Sequence, residues 1–345
     1  MCLVSLNTSP VPAPIVLPKI LMDCPFEPMP STMKASLTLP KISLETKLPT
    51  LKASNLIMTK NCNIYELGPL IREGKFGAIH SAAVLDRKTK LHELQVGQEV
   101  AVKVCSLSKM EQLRAFESPY TEIEVLKMIG NGNSHLVGLI ESCIIGDSMY
   151  MIFPLYTEGD LLDVMESRFR GGMPSFLVKK LMMDIVQGVF SLHRQGIAHR
   201  DLSIENILFD QDNDNFAICD FGMAWYASCK NRPDALCGKG SYMAPELWNS
   251  SFDSSMSSFM RLAACDIWSC GVILFMALTG TAPFECAVSW DPLYQLIADG
   301  KFMELFDFDK LDQESIEIVH LINRIFHVDP HQRPTAHDLL SQLSQ

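Results

Sequence analysis

Apolar residues along this chain follow two different periods, and the change falls near Gly159. From Ile64 onward, short runs rich in β-branched and aromatic residues, such as Glu99–Cys105 and Ser148–Leu155, predict strands. One helical stretch around Glu111–Met128 interrupts them. Beyond Gly159, the segments Ser175–His193, Asp266–Leu278, Pro292–Ala298 and Gln313–Phe326 place apolar residues at i, i+3 and i+4, the spacing of helices with one buried face. The pattern predicts an α+β, bilobal chain, with a small β-rich N-lobe over about 61–153 and a larger helical C-lobe over about 157–345. Junctions between lobes are favoured ligand sites, so the chemistry is expected in a cleft between the two.

Residues 1–60 do not share this pattern. Nine of the 19 prolines precede Thr50, and Leu-Pro-Lys-Ile occurs at both 17–20 and 39–42. Frequent proline interrupts helices and central strands, so this segment reads as a flexible arm. Its repeat could dock on a partner; an inert extension is the expectation.

Composition narrows the function classes. A net charge of −11 over 345 residues disfavours a general nucleic-acid binder, which needs a basic surface, and is compatible with a basic peptide substrate. The 11 cysteines are scattered without a Cys-x-x-Cys pair, as expected for thiols kept reduced in the cytoplasm, with the nucleus as the alternative location. The start lacks a basic n-region and has Cys2 rather than glycine, against a secretory signal or myristoylation. The apolar stretch from Cys265 to Pro283 contains Asp266, two glycines and a proline, and reads as a core helix and its exit rather than a membrane span. Nothing in the sequence calls for an obligate oligomer.

Three short motifs then occur in order within the 48 residues from His199 to Glu246: His-Arg-Asp-Leu-Ser-Ile-Glu-Asn, Asp-Phe-Gly and Ala-Pro-Glu. Together they resemble the catalytic and activation segments of eukaryotic protein kinases, and the chain is identified as a divergent member of the Ser/Thr-type superfamily. The resemblance runs from about Ile64 to Leu343. It implies a bilobal kinase fold, ATP and Mg²⁺ as cofactors, and protein substrates. Phosphoryl transfer needs little covalent work from a protein; it needs a nucleotide clamp, metal ligands and a positioned hydroxyl.

The resemblance supplies residues for each part. Ile71-Arg72-Glu73-Gly74-Lys75-Phe76-Gly77-Ala78-Ile79 is similar to the glycine-rich loop over the phosphates, with Arg72 where the family has its first glycine. Lys103, in Val-Ala-Val-Lys, would hold the α- and β-phosphates, paired with Glu122 in preference to Glu124. Phe153, Pro154 and Tyr156 would form the hinge, and Ile79, Ala101 and Leu208 the adenine slot, with Ile71, Gly74, Phe76 and Gly77 above the nucleotide. Asp160 would meet ribose or a basic substrate residue, or simply cap the following helix. Asp201 would act as catalytic base, and Asn206 and Asp220 as metal ligands, a sparse oxygen set that suits Mg²⁺. His199, Phe221, Leu126 and Leu139 are expected to pack as a link between helix and catalytic loop. Glu246, Arg333 and Asp266 match structural ion-pair and anchor positions, and Cys219 is expected to be a buried, inert thiol.

Two departures stand out. Ser203 occupies the position where Ser/Thr kinases carry lysine, and Lys239 the position where they carry threonine. The expectation is an exchange: Lys239 reaches across to Asp201 and the γ-phosphate, and Ser203 takes the hydroxyl role. The usual activation-loop phosphosite falls near Ala235, where Asp234 would offer Arg200 a standing charge, with Ser228 as the fallback phosphosite. Ser250–Ser258 reads as a solvated insertion. Serine or threonine is the expected acceptor, since the Tyr-kinase pattern is missing, and Asp160 and Glu205 could select basic residues near the phosphosite. The rival reading is a nucleotide-binding scaffold without transfer, which Arg72 and Ser203 favour and which Lys103, Asp201, Asn206 and Asp220 oppose.

Overall fold

The computed structural model describes residues 56–87, 94–113, 115–211, 213–229, 236–248 and 256–343. The expectations for the N-terminal arm up to residue 55, for Asp234 and Ala235, and for 250–255 lie outside the described residues.

The N-lobe is built on strands β1 (Leu56–Met58), β2 (Ile64–Glu73), β3 (Gly77–Asp86) and β4 (Glu99–Ser106), then helices α1 (Leu107–Gln112) and α2 (Pro119–Ile129), then β5 (Glu141–Ile145) and β6 (Ser148–Pro154). All pairings in this sheet are antiparallel, in the order β1-β2-β3-β4-β6-β5. Alternation decides what faces the cleft. In β4, Val100 and Val102 are fully buried on one side, while Ala101 and Lys103, one residue out of phase, face the other and stay half-buried. The helix expected over Glu111–Met128 is two helices. Pro119 cannot continue a helix from the preceding turn, but it suits the first turn of a new one. The Ser118 side chain caps that turn, accepting from Thr121 N at 3.3 Å.

The C-lobe follows with α3 (Leu161–Arg168), α4 (Ser175–His193), the ribbon β7 (Ile207–Asp210) and β8 (Asn215–Ile218), α5 (Pro245–Trp248), α6 (Ser258–Thr279), α7 (Pro292–Ala298), α8 (Gln313–Ile325) and α9 (Ala336–Leu343). Helix α6 begins earlier than its apolar pattern, because Ser257 caps it, accepting from Met260 N at 3.2 Å. By length and composition α6 could cross a membrane, but 78% of its apolar window is buried inside the protein, against α4 and α8. Its Trp268 is fully buried among Phe284, Tyr294 and Phe326, with ring centroids 4.8–6.3 Å away. Tilted and edge-on contacts of this kind add to the area they bury. The helix therefore works as a rigid post, and its Asp266 presents a carboxylate to the backbone of His199 and Arg200.

Candidate active site

Lys103 projects from β4 into the cleft between two carboxylates. Its Nζ lies 2.8 Å from Glu122 Oε2 and 2.9 Å from Asp220 Oδ1. The cap at Ser118 sets the register of α2 so that Glu122 is buried in its first turn. Glu124 faces outward and accepts the Tyr226 hydroxyl instead. Burial works against both charges of the pair, pushing the Glu122 carboxyl up and pulling Lys103 down. At Lys103 the charges of Asp220 and Glu122 outweigh burial and hold it well above its usual value, so it stays cationic. Asp220 is held below the usual carboxylate range; burial opposes this, and the Lys103 charge prevails.

The loop that carries Asp201 hangs from Asp266. Its two oxygens accept His199 N and Arg200 N, each at 2.8 Å, and His193 Nε2 lies 3.0 Å away. These bonds hold Arg200 in the left-handed region, φ 69°, where a non-glycine residue is costly without such support. His199 is kept neutral by burial and packs edge-on against Phe221, with centroids 5.3 Å apart. Phe221 and Leu126 are buried in one cluster and Leu139 packs against it, so α2, the loop and the Asp220 turn form one apolar column.

Asp201 then sits where its carboxylate can act. Asn206 Nδ2 donates to Asp201 Oδ2 at 3.0 Å and to its carbonyl at 2.7 Å. Burial pushes the Asp201 carboxyl up to about 6, with Lys239 pulling the other way. Lys239 Nζ donates to the buried Ser203 Oγ at 2.7 Å and lies 3.2 Å from Glu205 Oε2. The structure thus brings the two exchanged residues into direct contact beside Asp201. Lys239 acts on Asp201 through its charge, since its hydrogen bond goes to Ser203. Its approach depends on Gly238, at φ 93°, whose missing Cβ would come within 2.8 Å of the Arg200 carbonyl.

Between the lobes lies a cavity of about 240 Å³. Its lining includes Ile71, Ile79, Ala101, Lys103, Phe153, Pro154, Tyr156, Asp160, Leu208, Asn206 and Asp220 from the sequence-based set. Gly74, Phe76 and Gly77 do not line it. Phe76 turns inward onto Cys105, Met110 and Met151, and Gly77 packs so tightly on β4 that a Cβ would sit 1.7 Å from the Val104 carbonyl. Asp201 and Lys239 line a smaller adjoining hollow with Arg200 and Tyr242. Sequence reasoning missed Val137, Gly159 and Asp163 at the main cavity. Nothing marks Val137 as other than core, but Asp163 carries a signal as the N3 residue of a capping box with Asp160.

Asp160 is that helix cap: it accepts Asp163 N at 2.9 Å and also pairs with Arg72. Both carboxylates expected to receive basic substrate residues are therefore matched from within the chain, Asp160 by Arg72 and Glu205 by Lys239. Burial pushes the Cys219 thiol up, with the Asp220 charge adding to it, so the protonated, unreactive form is favoured.

Among the described residues no cluster of three His, Cys, Asp or Glu side chains could hold a metal. A small oxygen set does exist. Asn206 uses its amide nitrogen on Asp201, and Asp220 uses Oδ1 on Lys103 and Gly222 N; among the described residues no bond to Asn206 Oδ1 or Asp220 Oδ2 competes with a metal ion. One carboxylate and one amide oxygen fit Mg²⁺, which retains water and shares substrate phosphates, better than a metal needing a full protein cage.

The family model described as protein kinase domain matches residues 65–343. The phosphorylase b kinase gamma catalytic chain, liver/testis isoform, of Bos taurus is 31% identical over 255 residues, 71% of this chain and 59% of that protein. CDPK-related kinase 5 of Arabidopsis thaliana is 31% identical over 279 residues, 80% of this chain and 43% of that protein. Calcium-dependent protein kinase 4 of Plasmodium falciparum is 28% identical over 253 residues, 72% of this chain and 44% of that protein. The chain spans about half the length of these relatives.

Proposed function

The chain belongs to the protein kinase family, and on that premise we propose that it transfers the γ-phosphoryl group of ATP to serine or threonine hydroxyls of protein substrates. The observation that carries this reading is the Lys103 ammonium, held between Glu122 and Asp220 at 2.8 and 2.9 Å. A half-buried cation kept charged at the wall of the cavity is suited to clamp nucleotide phosphates. Mg²⁺, when held by Asn206 Oδ1 and Asp220 Oδ2, supplies neutralisation of the phosphate charge.

Each remaining residue has a task that needs no covalent intermediate. Asn206 orients Asp201 Oδ2, leaving Oδ1 to accept the hydrogen bond of the substrate hydroxyl and finally its proton. With its carboxyl near 6, Asp201 is ionised at neutral pH and still close enough to proton exchange to be useful. Lys239 stands where negative charge develops, braced by Ser203 and Glu205. Apolar side chains of the slot, such as Ile79 and Leu208, exclude water from the nucleotide base. Among the described residues the free thiols are buried or half-buried except for Cys62, which suits a reducing compartment such as the cytoplasm or nucleus.

A scaffold that binds nucleotide without transfer is the second reading. The Lys239–Ser203 contact weighs against it, because it returns a lysine to the place that Ser203 leaves empty. Incubation with radiolabelled ATP, Mg²⁺ and generic protein substrates, with Asp201→Asn as control, tests the proposal. Incorporation into serine or threonine that Asp201→Asn abolishes supports it. ATP binding without transfer refutes it.

A further inference from the structure

We propose that Arg72 is a gate on nucleotide exchange, clasping the N-lobe strand above the cleft to the first C-lobe helix across the cavity mouth. The proposal rests on the reading that this cleft takes ATP. Three observations carry it.

The first is where the arginine stands. Register between β2 and β3 shifts between Leu67 and Leu70 and again between Leu70 and Arg72. Such irregularities re-aim side chains, and here both Ile71 and Arg72 reach the cavity lining. The second is what it grips. Nη1 bonds Asp160 and Nη2 lies 2.9 Å from Asp163 Oδ2, so one guanidinium spans two carboxylates at the start of α3. A planar fork is suited to this; a lysine would hold only one well. Asp160 is a fixed jaw, 4% exposed and tied to Asp163 N through Oδ1.

The third is how the strength is graded. The Arg72 side chain is 42% exposed and that of Asp163 50%, so water and salt reach the outer half of the clasp. Exposed pairs of this kind are individually weak. The inner bond biases the lobes toward closure, and the outer one can be broken often enough for a ligand to pass. Arg72, Asp160 and Asp163 all line the same cavity, so on this proposal a nucleotide passing between them has to part the clasp. Arg72 is a positioning residue in this scheme: it acts through Asp160 and the strand it carries, on rates of passage.

Stopped-flow fluorescence with the full chain, Mg²⁺ and methylanthraniloyl-ADP separates a gate from a structural staple. Arg72→Gly should raise association and dissociation rates together by about tenfold, the equivalent of about 1.4 kcal/mol, with the dissociation constant changed far less. High salt should speed dissociation in the unmodified protein and have little effect in Arg72→Gly. Asp163→Asn, which weakens the outer bond but keeps an amide oxygen to accept Asp160 N in the capping box, should give a smaller rise of roughly threefold. Dissociation from Arg72→Gly at the unmodified rate overturns the gate. If Arg72→Gly fails to fold, Asp163→Asn carries the test, and an unchanged rate with an unchanged salt response overturns it equally. Absence of any nucleotide binding defeats the proposed function and the gate with it; binding with normal exchange defeats the gate alone.

Discussion

Replacing Lys239 by methionine tests the role of the exchanged pair most directly, because the stem is kept and the charge removed. In the folded protein two influences meet at Asp201: burial pushes its carboxyl up to about 6, and the Lys239 charge pulls it down. Removing the lysine removes only the second, so the carboxyl must rise further. An opposite charge within about 4–6 Å typically shifts a carboxylate by 1–3 units. Lys239 is 38% exposed and shares its charge with Glu205, so the lower end applies, about one unit. The acid limb of kcat/KM for peptide should therefore move from near 6 to about 7. At pH 7 the ionised fraction of the base would fall from about nine-tenths to about one-half. That loss is small. The larger one, roughly 10²-fold in kcat, comes from withdrawing charge stabilisation at the transferring group. Lys239→Arg should keep the limb in place, and Ser203→Ala should lower kcat without moving the limb upward, since the charge remains. The assay is the pH profile of kcat/KM at saturating MgATP. An unshifted limb with unchanged kcat in Lys239→Met would refute the idea that this lysine serves Asp201.

Other perturbations follow from the same contacts. Lys103→Met leaves Glu122 buried without its cation, and should lower kcat by at least about 10²-fold in the phosphorylation assay and lower the melting temperature as well, because an unpaired buried carboxylate is costly. Arg333→Met breaks a buried bidentate pair with Glu246, at 2.8 and 3.1 Å, and should cost about 3–5 kcal/mol of stability by denaturant titration. Ser118→Ala removes the cap of α2 and should cost about 1 kcal/mol in the same titration, with KM for ATP rising because Glu122 loses its register.

How far these features were visible before the structure depends on how local each is. The strand run around Glu99–Cys105 and the helix over Ser175–His193 carry their period within a few residues, and both form as the pattern predicts. The break at Pro119 was also local, since Ser118-Pro119 is a cap and first-turn pair within one longer apolar pattern. Phe76 shows the limit of motif reasoning. Its place in the glycine-rich segment suggests the nucleotide, yet a phenyl ring gains more by burial on Cys105 and Met110 than by lying over phosphates. That Lys239 and Ser203 belong together was legible only by setting two departures side by side across 36 positions of sequence, and the reach was expected to be to Asp201, whereas the hydrogen bond goes to Ser203. Arg72 was not legible at all. Its partners lie 88 and 91 residues away and follow from how the lobes close, which no periodicity encodes.

Arg72, Lys239 and Lys103 together change what the net charge means for this chain. Each enters the cleft from a different element, and each meets two groups: Asp160 and Asp163, Ser203 and Glu205, Glu122 and Asp220. The cavity lining itself carries five carboxylates, Glu122, Asp160, Asp163, Glu205 and Asp220, against two cations, Arg72 and Lys103. The surplus is felt at Glu117, whose carboxyl is pushed up first by burial and then by the Asp220 charge. A bare triphosphate would be repelled by such a cleft, whereas a triphosphate carrying divalent cations would match it. The same surplus explains why acidic character alone does not make the site a reader of basic peptides. Asp160 and Glu205, the carboxylates best placed to attract an arginine, are the two already matched by the chain's own cations. An incoming basic residue would have to displace Arg72 or Lys239, gaining one exposed ion pair while breaking another, and exchanges of that kind are close to neutral. Substrate choice on the proposed reading therefore falls to contacts outside this pair of carboxylates.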